Sequence, residues 1–185
     1  MSSNYFVHPT AIIEENVLLG EGTKIWHHAQ IRNGAHLGRN CIIGKGVFID
    51  TKVKIGDNVK IQNYVSIYHG VTIEDEVFIG PHAVFTNDLR PRALGDWKIT
   101  ETLVKKGVSI GANSTIKCGI ILEKYSMIGA GTVLVKSTRP YELVFGNPGK
   151  PRGFVCRCGE KLLGDPYVNS QTCQECGTTI DCSKI

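Results

Sequence analysis

Residues 41–85 read CIIGKG VFIDTK VKIGDN VKIQNY VSIYHG VTIEDE VFIGPH AVF, a row of hexads built on one plan. The third place of each hexad holds an aliphatic residue or phenylalanine, and the first holds a small or β-branched one. Followed outward, the third-place series runs Val7, Ile13, Leu19, Ile25, Ile31, Leu37, Ile43, Ile49, Ile55, Ile61, Ile67, Ile73, Ile79 and Phe85. It resumes, out of phase by one, as Val104, Ile110, Ile116, Leu122, Ile128 and Leu134. In a chain that is 42% hydrophobic, fourteen consecutive hits in one register would arise by chance on the order of once in 10⁵ trials.

Side chains two apart on a strand point to the same face, so the first and third places of each hexad form a short strand with two inward positions. Glycine explains what lies between. The chain has 21 glycines, well above the usual share of about 7%. One set directly follows the large apolar residue (20, 38, 44, 56, 80, 111, 129), and a second sits three places after it (22, 34, 46, 70, 107, 119, 131). Asn16, Asn40, Asn58 and Asn113 share the second slot, and Gly and Asn take positive φ most easily. A sharp corner every six residues follows. A period of six matches neither 3.6 nor 7, which excludes a helical repeat. Strand-and-corner units stack best as a three-sided coil of about 18 residues per turn, of which about six turns fit. The period itself carries no handedness.

The register fails between Phe85 and Val104, across TNDLRPRALGDWKITET. Two prolines, a Leu-Gly-Asp turn and a tryptophan there predict a loop, 86–103, protruding from a rigid scaffold, a common carrier of function. After Gly153 the hexads end. Cys156-Arg157-Cys158-Gly159 and Cys173-Gln174-Glu175-Cys176-Gly177 form two close pairs, each followed by a glycine that permits a tight knuckle. Cys156, Cys158, Cys173 and Cys176 suit a four-thiolate structural zinc ribbon, although the first pair is CxC in place of CxxC. Cys182 as a replacement ligand, and free thiols, are the alternatives. The expected organisation is a coil domain, 1–153, and a small cysteine-rich module, 154–185.

No apolar run approaches the roughly 18 to 20 residues of a membrane-spanning helix. The opening MSSNYFVHPT has no basic segment followed by an apolar one, so a cytoplasmic location is expected. The net charge of +4 comes from interspersed residues of both signs, which points to a solvated mixed surface and no nucleic-acid partner. Seven cysteines without a signal segment read as thiols or metal ligands, not as a disulfide framework.

The run HPTAIIEENVLLGEGTKIWHHAQI, with VKIGDNVKIQNYVSIY, GPHAVFTNDLRPRA and VFGNPGKPRG, resembles the 3-amino-sugar N-acetyltransferases of the hexapeptide-repeat superfamily. The likeness covers about residues 7 to 153, and among these enzymes it is nearest to those acting on UDP-2-acetamido-3-amino-2,3-dideoxy-glucuronate, with the dTDP-3-amino-hexose enzymes next. It implies a left-handed parallel β-helix, a homotrimer, and acetyl-coenzyme A and a nucleotide sugar, UDP-linked in preference to dTDP-linked, in clefts between subunits. By the same resemblance Asn87 contacts the reacting amine. Asp88, which follows it, is a second catalytic candidate that accepts a proton or holds the amine as ammonium. His27, Gln62, Asn63 and Arg92 are candidates for the sugar nucleotide. Gly111, Ala112, Gly129, Ala130, Lys136, Lys150 and Arg152 fall where the family binds coenzyme A. The module after 153 is an addition to the family pattern.

Amine attack on a thioester needs a neutral nucleophile, a polarised carbonyl and a leaving thiolate, and no strong base. Two other classes compete. A sugar O-acetyltransferase would use one of His8, His27, His28, His36, His69 or His82 as general base, and a trimeric scaffold without activity would need neither the loop nor the GNP segment. The zinc-dependent carbonic anhydrases that share this scaffold need histidines in the registers of positions 69, 81 and 86, and Pro81 and Thr86 occupy the last two.

Overall fold

The computed structural model describes residues 4–183, and among them there is no α-helix. The units are strands of two residues, and Lys24–Ile25, Gln30–Ile31 and His36–Leu37 make one coil. Within that coil Thr23, Ile25, Ala29, Ile31, Ala35 and Leu37 are all 0% exposed, so the first and third places of the hexad point inward as the pattern requires. Each strand pairs in parallel with one a full coil later: Lys24 with Ile42, Gln30 with Phe48, His36 with Lys54. Three sheets, of nine, seven and six strands, form faces one, two and three of the coil. One continuous apolar core runs from Ile25 to Val144, and each fully buried isoleucine in it contributes about 1.5–3 kcal/mol.

The corners carry the backbone strain. Asn16, Gly22, His28, Gly34, Asn40, Gly46, Lys52, Asn58, Tyr64, Gly70, Glu76 and His82 all have positive φ, at every sixth position, and the series resumes at Gly107, Asn113, Gly119, Tyr125 and Gly131. Glycine and asparagine account for the sites legible in the sequence. His28, Lys52, Tyr64, Glu76, His82 and Tyr125 adopt the same conformation against their own preference. Ring stacking offsets part of that cost, with Tyr64 on His82 at 5.3 Å and Tyr125 on Tyr141 at 5.2 Å between centroids. Gly46 lies beneath Tyr64, where an added Cβ would meet the ring at 2.5 Å.

The break in the register is an insertion into a single coil. Ile49 pairs with Ile67 and Ile55 with Ile73 at the regular spacing, whereas Phe85 pairs with Ile116 and Ile73 with Val104. The extra chain between these last partners is carried outside the coil. The strand Thr102–Val104 begins inside the stretch expected to be loop. There the open edge at Val71–Ile73 recruits the backbone, and sheet hydrogen bonding decides the structure where hexad periodicity is silent.

At the C-terminus, Glu142–Phe145 adds to face one in parallel, the chain turns at Gly146-Asn147-Pro148-Gly149 with a cis Asn147–Pro148 bond, and Lys150–Phe154 returns antiparallel. Position 153 therefore falls within a strand, and the cysteine-rich module continues from the same sheet. The module holds a hairpin, Gln171–Thr172 with Thr179–Ile180, over a small core of Phe154, Cys156, Leu162, Cys173, Ile180 and Cys182. Arg139 fastens it to the last coil: its guanidinium lies 5.0 Å from the Phe154 ring centre and 4.9 Å from that of Tyr167, and it pairs with the buried Glu142 at 3.0 Å. On the outer faces Ile12 and Ile121 are exposed, and Ile42 and Phe48 are half-buried.

Phe85 is fully buried at the root of the insertion, whereas Leu94 near its tip is 91% exposed. Phe85→Ala should destabilise the protein by about 3–5 kcal/mol, and Leu94→Ala should stay within about 0.5 kcal/mol of the parent. Denaturant titration of the two variants checks the pair.

Candidate functional site

The coil has three corners, numbered first, second and third after the faces they follow. At the second corner, Arg32, Asp50, Tyr68 and Thr86 stack in one column and Asn33, Thr51, His69 and Asn87 in the next, each a coil apart. The lower part is a connected polar column. Asp50, only 9% exposed, accepts from Arg32 Nη1 at 3.0 Å and from the backbone N–H groups of Thr51 at 2.7 Å and His69 at 3.1 Å. The Thr51 hydroxyl is hydrogen-bonded with His69 Nδ1 at 3.1 Å.

Above this column the insertion opens a cleft of about 410 Å³ lined by Tyr68, Asn87, Asp88, Pro91, Arg92, Ala93 and Trp97. Asp88 gives the loop its shape. One carboxylate oxygen accepts from Arg90 N at 2.7 Å and the other from Lys98 N at 3.2 Å, so the outgoing and returning limbs are clasped by one side chain. Thr100 N donates to Asn87 O at 2.8 Å and closes the base. The returning limb passes close over Gly70, where a Cβ would lie 2.7 Å from Ile99 Cγ2. The Asn87 side-chain amide has no partner among the described residues, and it is not sealed from solvent. Both Asp88 oxygens hold backbone donors, which makes the group a positioning residue for the loop more than a free base.

Of the residues expected at the site, Asn87, Asp88 and Arg92 meet in this cleft. Tyr68, Pro91, Ala93 and Trp97, which also line it, were not among the expected site residues. Tyr68 was within reach of column arithmetic, since it stands one regular coil before Thr86.

The remaining candidates lie elsewhere. His27, Gln62, Asn63, Gly111, Ala112, Gly129 and Ala130 occupy the first corner, at the opposite end of face two. His27 is stacked on His8 at 3.5 Å, and burial, then the charges of His27 and His28, lower the His8 pKa. Asn63 Oδ1 accepts from Lys45 N at 2.9 Å, so that side chain braces its own corner. At Ala112 and Ala130 the equivalent backbone N–H groups have no acceptor among the described residues, leaving two donors one coil apart. Glycine at 111 is obligatory there, since a Cβ would come within 2.4 Å of Ala130 N. Lys136, Lys150 and Arg152 are exposed near the end of the coil, and Arg152 lies over the Phe145 ring at 5.4 Å. The third corner is a charge ladder in which Arg39 holds Asp57 through two nitrogens at 3.0 and 2.7 Å, lowering the Asp57 pKa.

In the module, Cys156, Cys158, Cys173 and Cys176 bring their sulfurs within 4.8 Å of one another, with Cys156 to Cys176 and Cys158 to Cys173 both 3.6 Å. A tetrahedral zinc with Zn–S bonds of about 2.3 Å requires sulfurs about 3.8 Å apart, so the four fit that ion. Burial pushes the Cys156 thiol up to about 12, while hydrogen bonds from the Thr178 hydroxyl and backbone bring Cys176 down to about 6. Cys182 lies outside the cluster, buried beside Tyr167.

Residues 16–51 and 52–87 match the family described as bacterial transferase hexapeptide (six repeats), and 106–136 match the hexapeptide repeat of succinyl-transferase. The chain is 44% identical over 177 residues, 95% of its length and 90% of the relative's, to dTDP-3-amino-3,6-dideoxy-alpha-D-galactopyranose 3-N-acetyltransferase of Aneurinibacillus thermoaerophilus. Among solved structures, a variant of AntD, an N-acyltransferase of Bacillus cereus in complex with dTDP and coenzyme A, superposes with a TM-score of 0.66 at 21% identity, covering 80% of this chain and 85% of that one. A hexapeptide-repeat acetyltransferase of Vibrio cholerae O1 biovar eltor, complexed with acetyl coenzyme A, gives 0.58 at 26% identity, over 66% and 71% of the two chains.

If Asp88 clasps the loop, Asp88→Ala should speed hydrogen exchange at the Arg90 and Lys98 amides by roughly tenfold or more, the scale of a lost charge-assisted hydrogen bond. The thermal midpoint should barely move, because the loop lies outside the core. Unchanged exchange at both amides would refute the clasp.

Proposed function

The chain belongs to the bacterial hexapeptide-repeat transferases and is an acetyltransferase of that family, and from this premise we propose that it acetylates the 3-amino group of a dTDP-linked 3-amino-3,6-dideoxyhexose, with acetyl-coenzyme A as donor. The dTDP-linked substrate of the 44% identical relative replaces the UDP-linked sugar favoured from the motifs. The observation that carries the reading is Asn87: an accessible amide without a protein partner at the base of a sugar-sized cleft. A side chain so placed can orient an amine for attack.

In the reaction the amine nitrogen adds to the thioester carbonyl carbon, the carbon–sulfur bond breaks, and the ammonium proton leaves with the departing thiolate. Orientation supplies most of the acceleration, since the nucleophile needs only to be neutral and in line. Arg92, on the same cleft, suits the sugar's diphosphate. The free N–H groups of Ala112 and Ala130 suit the amide carbonyls of the pantetheine arm, and Lys136, Lys150 and Arg152 its phosphates. Gln62 and His27 remain proposals for the nucleotide. These donors and the Asn87 cleft sit at different corners of one chain, so the reading includes a homotrimer in which the first corner of one copy faces the second corner of its neighbour. A histidine-based O-acetyl transfer has less support, because no histidine lines the cleft that holds Asn87.

The four cysteines of the module fit a structural zinc, which would close its coordination sphere and leave no position for substrate. Its contribution is to fold the module.

Turnover with a panel of dTDP-linked sugars tests the reading. The 3-amino sugar should react and its 3-hydroxy analogue should not. Asn87→Ala should lower kcat by roughly 10² with coenzyme A affinity nearly unchanged; equal rates for amine and alcohol, or a near-normal Asn87→Ala, would overturn it.

Metal analysis of protein purified without chelator should find about one zinc per chain, reduced in Cys173→Ser and Cys176→Ser. Zinc should be lost on acidification, since protons compete for the thiolates as pH falls. Metal-free protein of native fold would count against the site.

A further inference from the structure

We infer that the cysteine-rich module controls coenzyme A binding, with Arg139 as the positioning residue that joins it to the coil. The inference rests on the proposed reading in which Lys150 and Arg152 meet the coenzyme's phosphates, and adds what holds them in place. Both lie on the return strand Lys150–Phe154, the outermost of the nine-stranded sheet, which has a neighbour on one side only, Glu142–Phe145. The pairing of these two strands skips Arg152: Leu143 stands opposite Gly153 and Val144 opposite Pro151. Arg152 is therefore the extra residue of a bulge, a device that re-aims a side chain. Its guanidinium lies 5.4 Å from the centre of the Phe145 ring, and Phe145 packs over Gly129, where a Cβ would meet Phe145 Cβ at 2.7 Å. The bulge thus delivers Arg152 to the corner that carries the free N–H of Ala130.

A strand paired on one side needs both ends fixed. At the near end Gly149 N donates to Val133 O at 2.8 Å and Val133 N to Gly146 O at 3.1 Å. The far end depends on the module. Phe154 belongs both to the strand and to the module's core, where it packs with Cys156, Leu162, Cys173, Ile180 and Cys182. Its carbonyl accepts from Leu162 N at 2.9 Å, and Val155 N donates to Tyr141 O at 2.8 Å. Arg139 completes the joint: its guanidinium faces the rings of Phe154 and Tyr167 while its Nε holds Glu142, the residue opposite Phe154 in the ladder. A unit of fewer than about 40 residues rarely holds its fold by apolar burial alone and relies on a metal or cross-link. The four clustered thiols supply the metal site. Zinc occupancy is then transmitted through Phe154 to the strand, and so to Lys150 and Arg152.

The test titrates coenzyme A and, separately, dTDP into the full chain, as the zinc-loaded protein and after the metal is stripped by a chelator. Stripping should weaken coenzyme A by about tenfold or more, the scale of a lost charge-assisted contact. It should leave dTDP affinity unchanged and speed hydrogen exchange at the Val155 and Leu162 amides. In the double variant Lys150→Ala/Arg152→Ala, itself weakened for coenzyme A, stripping should cost less than about a further twofold, because losses carried by the same contacts do not add. Arg139→Lys keeps a charge beside Glu142 and gives up the flat group between the rings; it should retain zinc and weaken coenzyme A by about threefold. Unchanged coenzyme A affinity in the stripped protein overturns the inference. So does a loss shared equally by dTDP, which reports general unfolding, or a full further loss in the double variant, which places the effect on another route. Parent-like affinity in Arg139→Lys would take Arg139 out of the joint. Coenzyme A bound as tightly by the double variant as by the parent would instead sink the phosphate assignment of the proposed reading, before the module is in question.

Discussion

One backbone constraint underlies the molecule: from Asn16 to His82, and again from Gly107 to Gly131, each corner of the coil passes through a positive φ so that the next strand lies flat on the coil beneath. Where glycine or asparagine takes the place, the cost is small. At Tyr64, Glu76 or Tyr125 it is met against the residue's own preference. Once the corner is fixed, residues one coil apart are neighbours, and every other contact follows from that adjacency. The core is a set of inward columns, and the surface a set of outward and corner columns. Asn87 owes its position above His69, and Ala112 its position against Ala130, to this arithmetic and not to any local motif.

The coil was therefore almost wholly legible in the sequence, because a repeated constraint writes itself into every hexad. What a period cannot encode is its exceptions. The strand Thr102–Val104 was hidden in apparent loop, since its pairing depends on an open edge far back in the chain, at Val71–Ile73. The return strand Lys150–Phe154 was hidden because antiparallel pairing needs no hexad. Asn87, Asp88 and Arg92 were found through resemblance, and the cleft brings them together. That Asp88 clasps the loop could not be read from its identity, because a carboxylate beside a reactive centre looks the same on paper whether it takes a proton or two backbone hydrogen bonds. Trp97 escaped for a related reason: it and Asn87 stand at opposite ends of the loop sequence, and only the folded loop brings them to one cleft.

The division of labour among the corners is sharp. The third is a ladder of ion pairs such as Arg39 with Asp57 and Lys105 with Glu123, exposed enough that each contributes little. The first presents unpaired backbone donors, and the second presents a side-chain amide in a cleft. In the function proposed, a donor that binds as an extended thioester arm by backbone and an acceptor held by side chains have opposite requirements for adaptability. Placing them at different corners lets the first remain bare glycine and alanine while the second accumulates function.

The insertion has a further consequence for how such a protein comes to change. Lengthening one coil by roughly two thirds costs only about 0.5 kcal/mol of extra loop entropy, and the strands on either side pair as if the excursion were absent. The segment is in effect a removable cassette. Its sequence can drift or lengthen with almost no penalty to the framework, so selection can reshape the cleft it lines while the folding information, dispersed through the hexads, stays untouched.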